Sequence, residues 1–311
     1  MTHAYINPRY QTTKETSAFI PSDEEQFETY EAGHIVDLLM NSDHHNPLFR
    51  APVGEDAQHI LDIGTGAGHW AIDVADRFPR TLVRGVDIFP PPVNWTPPNC
   101  ILEVDDVLQE WTWSQPFDLI HLRIMEASFT PEELDRLYQQ CYQKIRPGGW
   151  IEQVELTIDL FCDDDSLPKD SAASRWGEIN RKAAEKCGRP CDLFATLEKR
   201  IQEAGFVDIH VQDQKWPIGP WPRDKLLKEA GLVNLQHWLL GVEGYSMFHL
   251  TNYGDPVPWT RAEVIVHNAK LRSELKNPHY HIYNKSKRVW AQKPSDDSQN
   301  LSNTARRADQ S

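Results

Sequence analysis

The sequence predicts an α/β chain, a doubly wound and mostly parallel seven-stranded sheet with an N-terminal helical arm and helical insertions over the active site. Three observations carry that expectation. His59-Ile60-Leu61-Asp62-Ile63 is a short apolar run that meets Gly64, Gly66 and Gly68, after which Trp70, Ala71, Val74 and Ala75 recur at helical spacing. A strand, a glycine turn and a helix N-terminus form the nucleotide-cradling corner of an open α/β sheet. Leu82-Val83-Arg84-Gly85-Val86-Asp87-Ile88 reads as a second buried strand ending in an acid. Asp87 stands twenty-five residues beyond Asp62, where a strand-end carboxylate hydrogen-bonds ribose hydroxyls. Counting these two, five strand–helix units run in order along the chain, the pattern of a doubly wound sheet.

The other elements are read in chain order. Residues 1–20 are polar and aromatic without periodicity, an arm that is either disordered or laid over a partner surface. Ser22-Asp23-Glu24-Glu25 starts a helix, with Ser22 as cap and acids in the first turn, running to about Met40 with His34 on its face. Ile101-Leu102-Glu103-Val104 is a third strand ended by Asp105-Asp106, and Phe117 to Arg123 is a fourth. Trp111 and Trp113 either wall a ligand or pack, and packing is the preferred reading. Pro131 to Ile145 is a helix broken by Arg146-Pro147-Gly148-Gly149, and Trp150 to Glu155 is a fifth strand. Helices are expected over Ala172–Lys186, Leu193–Ala204, Asp224–Leu240 and from Trp259, where Thr260 and Glu263 have capping-box spacing. Phe206 to Val211 is a sixth strand, and Pro217-Ile218-Gly219-Pro220-Trp221-Pro222 a rigid turn. Tyr280–Tyr283 and Arg288–Ala291 read as strands of a hairpin around Asn284-Lys285-Ser286-Lys287, and 295–311 as a disordered tail.

Composition narrows the classes of function. The 311 residues, 40% of them apolar, suffice for one large domain. A net charge of −14 argues against sequence-independent nucleic-acid binding and against anionic membrane surfaces. No apolar run is long enough to span a membrane, and the N-terminus lacks a signal-peptide pattern. Cys100, Cys141, Cys162, Cys187 and Cys191 are scattered and odd in number, which suits a reducing, cytoplasmic setting without a metal site. Asp163-Asp164-Asp165-Ser166 reads as a solvated turn.

The glycine spacing points to a particular ligand. A pyrophosphate fingerprint is G-x-G-x-x-G, whereas here Asp62 precedes Gly64, Gly66 and Gly68 at alternate positions. A carboxylate there repels a diphosphate but suits an ammonium or sulfonium group. The stretch resembles the first motif of class I S-adenosylmethionine (SAM)-dependent methyltransferases, which have Rossmann-like folds. The resemblance implies a SAM site of Asp62, Gly64, Thr65, Gly66 and Gly68, with Asp87 and Ile88 at the ribose. It also implies an acid for the adenine amino group, Asp106 in preference to Asp105, unless one of them caps the next turn.

The chain further resembles the fungal LaeA-like, or UMTA-type, methyltransferases over about Phe19 to Pro294. The stretches that carry this are Ile20–Glu25, Leu61–Ala71, Phe117–Arg123, Arg146–Trp150 and Ile218-Gly219-Pro220-Trp221-Pro222, with Trp95–Asn99 and Tyr283–Pro294 also similar. It departs from the family where Glu28-Thr29-Tyr30-Glu31 replaces an Asp-Arg pair. It departs again where Met125-Glu126-Ala127-Ser128-Phe129 replaces glycine and small residues. The resemblance implies one methyltransferase domain over 21–294, with a substrate cap from 21–56 and 163–270.

Methyl transfer from a sulfonium is an in-line displacement in which alignment supplies much of the rate, and a base is needed only for a protonated acceptor. His34, His121, Arg123, Glu152, Tyr253 and His281 are the polar candidates around such a pocket. His121 and Arg123 are preferred because their strand end faces the methyl group in this topology, with Arg123 pairing Glu152 as the alternative. The family implies methylation of an O, N or S atom of a small-molecule secondary metabolite. A LaeA-like regulator acting through a protein partner, with nuclear residence, is the alternative; a protein partner or a homodimer is the expected assembly besides the small-molecule substrate.

Overall fold

The structure, a computed structural model, describes residues 21–295; the expected arm and the tail from residue 296 lie outside them. Its seven strands are β1 (His59–Ile63), β2 (Leu82–Asp87), β3 (Cys100–Val104), β4 (Phe117–Arg123), β5 (Ile145–Leu156), β6 (Val207–Pro217) and β7 (Tyr283–Gln292). Their order across the sheet is β3-β2-β1-β4-β5-β7-β6, parallel except where β7 runs against both of its neighbours. The helices are α1 (Glu24–Met40), α2 (His69–Arg77), α3 (Pro131–Lys144), α4 (Ala172–Lys186), α5 (Leu193–Glu203), α6 (Lys225–Tyr253) and α7 (Arg261–Leu275).

Helices cover both faces, as the continuous burial of β1 and β4 requires. One face packs Trp70, Val74, Leu48 and Phe49 under α2, and the other packs Leu134, Tyr138, Leu197 and Ile201 from α3 and α5. The remaining helices, α1, α4, α6 and α7, gather where the parallel strands end. Caps fix their starts: Asp23 accepts from the Gln26 N–H at 3.0 Å, Ser171 caps α4, and Thr130 and Thr260 each form a capping box with Glu133 and Glu263.

Four expectations need correction. The cap of α1 is Asp23, not Ser22. Arg146–Gly149 do not lie outside the strand but inside β5, which pairs with β4 through a register shift. The hairpin around Asn284 is instead the unbroken strand β7. Asn284 misled because it points inward, accepting from Asn234 at 3.0 Å; on the same strand Arg288 meets Asp37 and Glu152. Finally, α6 continues through Gly241 and Gly244 to Tyr253. Those glycines do not end the helix but bring it against α1. A Cβ at Gly241 would stand 2.9 Å from Thr29 Cγ2, and one at Gly244 would stand 2.5 Å from Gln26 Oε1.

Candidate active site

A cavity of about 320 Å³ opens where β1, β2, β3, β4 and β5 end, beneath α1, α4 and α6. Its floor is the glycine turn. Gly64 and Gly66 take φ of +69° and +57°, and a Cβ there would fall 2.6 Å from Met125 Sδ and 3.0 Å from the Tyr30 ring. The Gly66 N–H donates to Asp87 Oδ2 at 2.8 Å, and the Phe89 N–H to Asp87 Oδ1 at 3.1 Å. Burial raises the Asp87 carboxyl above the usual aspartate range, against those backbone donors. Asp105 and Asp106 also line this end. Asp106 Oδ1 caps the next turn through the Leu108 N–H at 2.9 Å, and Asp105 Oδ1 accepts from the Asp106 N–H.

Two motif residues are not where the motif suggested. Asp62 is 3% exposed and both its oxygens are engaged, Oδ1 by His121 Nδ1 at 2.8 Å and Oδ2 by the Thr65 hydroxyl at 2.8 Å. It shapes the turn and does not face the cavity. Gly68, with φ +83°, is the N-cap of α2 and also stands off the cavity. Gly64, Thr65, Gly66, Asp87, Ile88, Asp105 and Asp106 do line it.

The candidates for the reacting end separate in the same way. His121 lies opposite Asp62 in the β1–β4 register, fully buried, with its ring stacked 3.8 Å from Trp70. The expectation that it faces a methyl group is therefore corrected: the side chain points into the core between the sheet and α2. His34 and Arg123 do line the cavity. Arg123 Nη1 donates to His34 Nδ1 at 3.1 Å, which makes Nδ1 the acceptor, so Nε2–H donates to Asp73 at 2.9 Å. Burial, the largest influence, lowers the His34 pKa, and the nearby Arg123 charge adds to that effect.

Arg123 pairs with Asp37 at 3.3 Å rather than with Glu152. Glu152 is buried under Arg288 and accepts the Arg50 and Ala51 N–H groups, each at 2.7 Å. Asp37 takes Arg288 Nη2 at 2.8 and 3.0 Å. Burial alone would raise Asp37, but Arg288 and Arg123 hold it below the usual range. This ionic cluster ties α1 to β4, β5 and β7. His281 meets Asp164 in a half-exposed turn, Tyr253 packs on Phe248, and none of Glu152, His281 and Tyr253 lines the cavity. Trp111 and Trp113 pack against each other and Phe117, away from the cavity.

Several lining residues escaped sequence reading. Tyr30 covers Gly66, and its position inside the departure Glu28–Glu31 was the available signal. Trp176 and Trp238 meet edge to face at 5.9 Å, with Tyr245 6.4 Å beyond, and Asn180, His237 and His249 stand beside them. Glu126 stands in the second departure, Met125–Phe129.

The residues present fit SAM. The glycine turn lines one end of the cavity, and three carboxylates there, Asp87, Asp105 and Asp106, suit hydroxyl, amino and cationic groups while opposing a diphosphate. Gly64–Gly66 would hold the amino-acid end, Asp87 the ribose, and Asp105 or Asp106 the adenine. When bound, SAM supplies an electrophilic methyl group on a sulfonium.

Fold and site together define a class I SAM-dependent methyltransferase. The model of a family described as methyltransferase domain matches residues 37–211, and the chain belongs to that family. It is 37% identical over 262 residues to methyltransferase pytC of Aspergillus terreus, covering 84% of this chain and 78% of that one. It is 31% identical over 246 residues to a probable methyltransferase, tdiE, of Emericella nidulans, covering 78% and 75%. It is also 33% identical over 243 residues to the secondary metabolism regulator LAE1 of Cochliobolus heterostrophus, covering 76% and 78%. Among the described residues no helix is long and apolar enough to cross a membrane.

Proposed function

We propose that this chain methylates an O, N or S atom of a small-molecule secondary metabolite by in-line displacement. The observation that carries this reading is the single cavity shared by the glycine turn and the aromatic wall of Trp176, Trp238 and Tyr245. Aromatic faces and a few fixed polar groups select a flat small molecule rather than a polymer. Asp87 binds the ribose hydroxyls, and Asp105 or Asp106 the adenine amino group. The cap is formed by α1 with 21–56 and by α4 and α6 within 163–270. His34 and Arg123 hold the wall at the α1 side, with the neutral His34 orienting the guanidinium. A small-molecule acceptor and scattered thiols accord with a cytoplasmic enzyme.

The similarity to LAE1 favours one alternative, a regulatory protein of the same fold acting through a protein partner, in the nucleus. Mass spectrometry of metabolites from a strain lacking the gene separates the two. The enzyme reading expects one pathway product to lose a single methyl group, with the methyl restored by purified protein and SAM. An unaltered methylation pattern, with product levels changed together and a stable protein partner recovered, would overturn it in favour of the regulator.

A further inference from the structure

Four polar atoms around the acceptor half of the cavity are buried without a hydrogen-bond partner: Glu126 Oε2, Glu155 Oε2, Asn180 Oδ1 and Trp238 Nε1. Buried polar atoms are nearly always satisfied, so a set of orphans around one cavity points to a ligand. Asn180 and Trp238, at 2% and 5% exposure, line the cavity from α4 and α6, and Glu126 lines it from the loop after β4. Glu155 stands behind Glu126 on β5, fully buried.

The remaining oxygens anchor the pair. Glu126 Oε1 accepts from the Leu193 N–H at the start of α5 at 3.2 Å. Glu155 Oε1 accepts from the Met125 N–H at 2.9 Å and from Gln153 Nε2 at 2.7 Å. The loop that presents Glu126 is strained on both sides, with Ile124 at φ +55° and Ala127 at φ +58°. A β-branched residue rarely adopts that conformation, and such strain clusters where a side chain must be aimed.

Burial, and after it the Glu155 charge, pushes Glu126 up to about 9, while burial pushes Glu155 up to about 7. Asp192 adds to the rise of Glu126, and the Leu193 and Phe194 N–H groups oppose it. Cys191 and Arg189 stand beside it on the segment before α5, the latter paired with Glu133 at 3.2 Å. Across the cavity α6 presents His237, Tyr245 and His249, α1 presents His34, and the donor end presents Asp87 and Arg123. The glutamate pair thus keeps a proton at neutral pH before a cation binds.

Resting on the SAM-dependent reading above, we propose that Glu126 is the proton acceptor of the transfer, with Glu155 setting its basicity, and that binding the cationic methyl donor discharges its resting proton. A sulfonium in this low-dielectric cavity stabilises the carboxylate, so the base is created only when the donor is present. The acceptor's heteroatom then bonds to the methyl carbon as the carbon–sulfur bond breaks. That bond's electron pair stays on sulfur, and the heteroatom's proton passes to Glu126. Sulfonium, carboxylate and X–H thereby become thioether, carboxylic acid and X–CH3. The acceptor is a hydroxyl or N–H compound, not a thioether or tertiary amine, with Asn180 and Trp238 as its polar partners.

Calorimetry of the full chain with SAM and with S-adenosylhomocysteine, in buffers of different ionisation enthalpy near pH 8, tests this. Wild type is expected to release about one proton more than Glu126→Gln on binding SAM, since the same ligand in both proteins cancels its own ionisations. With S-adenosylhomocysteine, which carries no sulfonium, the two proteins should not differ. Glu155→Gln should move the release to lower pH. Equal proton exchange in wild type and Glu126→Gln would overturn the proposal while leaving the SAM reading intact. Absence of any SAM binding would overturn both. Should Glu126→Gln not fold, infrared difference spectra of wild type serve instead. The carbonyl stretch of a protonated carboxyl must disappear on adding SAM, and its persistence would overturn the proposal.

Discussion

The donor half of the cavity comes from the ends of β1, β2 and β3, contributed by Gly64–Ala67, Asp87–Phe89 and Asp105–Leu108 within one short stretch of chain. The acceptor half is assembled from Tyr30, Trp176, Asn180, Trp238 and Tyr245, on three helices that together span more than two hundred residues of chain. In the first half backbone conformation makes the site, because positive φ at Gly64 and Gly66 turns the chain sharply at the strand end where side chains would be strained. In the second half side chains make it, and they are in place only while α1 and α6 stay docked. Docking rests on the buried Asp37–Arg288–Glu152 cluster and on the close approach at Gly33, Gly241 and Gly244. The donor half should therefore tolerate loss of the cap better than the acceptor half tolerates loss of its anchor.

Asp37→Ala strains that difference most. It leaves Arg288 and Arg123 short of a buried partner, and an unpaired buried charge costs about 3–5 kcal/mol. Denaturant titration should register that loss, and a change under about 1 kcal/mol would show that the cluster does not anchor α1.

Asp87→Ala acts on the donor half alone. Calorimetry should show SAM binding weakened by about 1–3 kcal/mol with the fold retained; unchanged affinity would remove Asp87 from the ribose site. Gly66→Ala should follow at about 1–2 kcal/mol, from the left-handed backbone together with the 3.0 Å approach to Tyr30. Equal SAM affinity in Gly66→Ala and wild type would mean that the cradle does not hold the donor.

The pH dependence probes the acceptor half. Glu126 and Glu155 are raised in the fold, so the stability they contribute is complete below the ordinary glutamate range. It declines as pH rises through about 7 for Glu155 and about 9 for Glu126. The melting temperature should fall between pH 6 and 9, and Glu126→Gln should flatten the upper part of that fall. The smallest effect is expected from Trp238→Phe, which removes the orphan Nε1–H. Stability should change by less than about 1 kcal/mol and SAM affinity by less than about twofold, while acceptor turnover falls. A parallel loss of SAM affinity would merge the two halves into one site.

Legibility in the sequence followed the same division. The strand–turn–helix at 59–77 and the acid at Asp87 were readable because each signal is local. Apolar runs, alternate glycines and a strand-end carboxylate depend on neighbours a few residues away. His121 was misplaced because periodicity states that a residue is on a strand, not which face its neighbours leave it. Its register opposite Asp62 and its stacking on Trp70 decided that. Strand β7 was misread as a hairpin because buried Asn284 and Ser286 look like turn residues until the flanking strands β5 and β6, and Asn234 of α6, are present.

By itself, then, the sequence determined the fold class, the glycine turn and the family, since short-range spacing encodes them. Tertiary structure alone decided that Asp62 supports the turn from beneath, that Arg123 answers to His34 and Asp37, and that Glu126 meets Glu155 beside an aromatic wall. Those pairings join residues on separate strands and helices, and no spacing along the chain records which buried charge will face which.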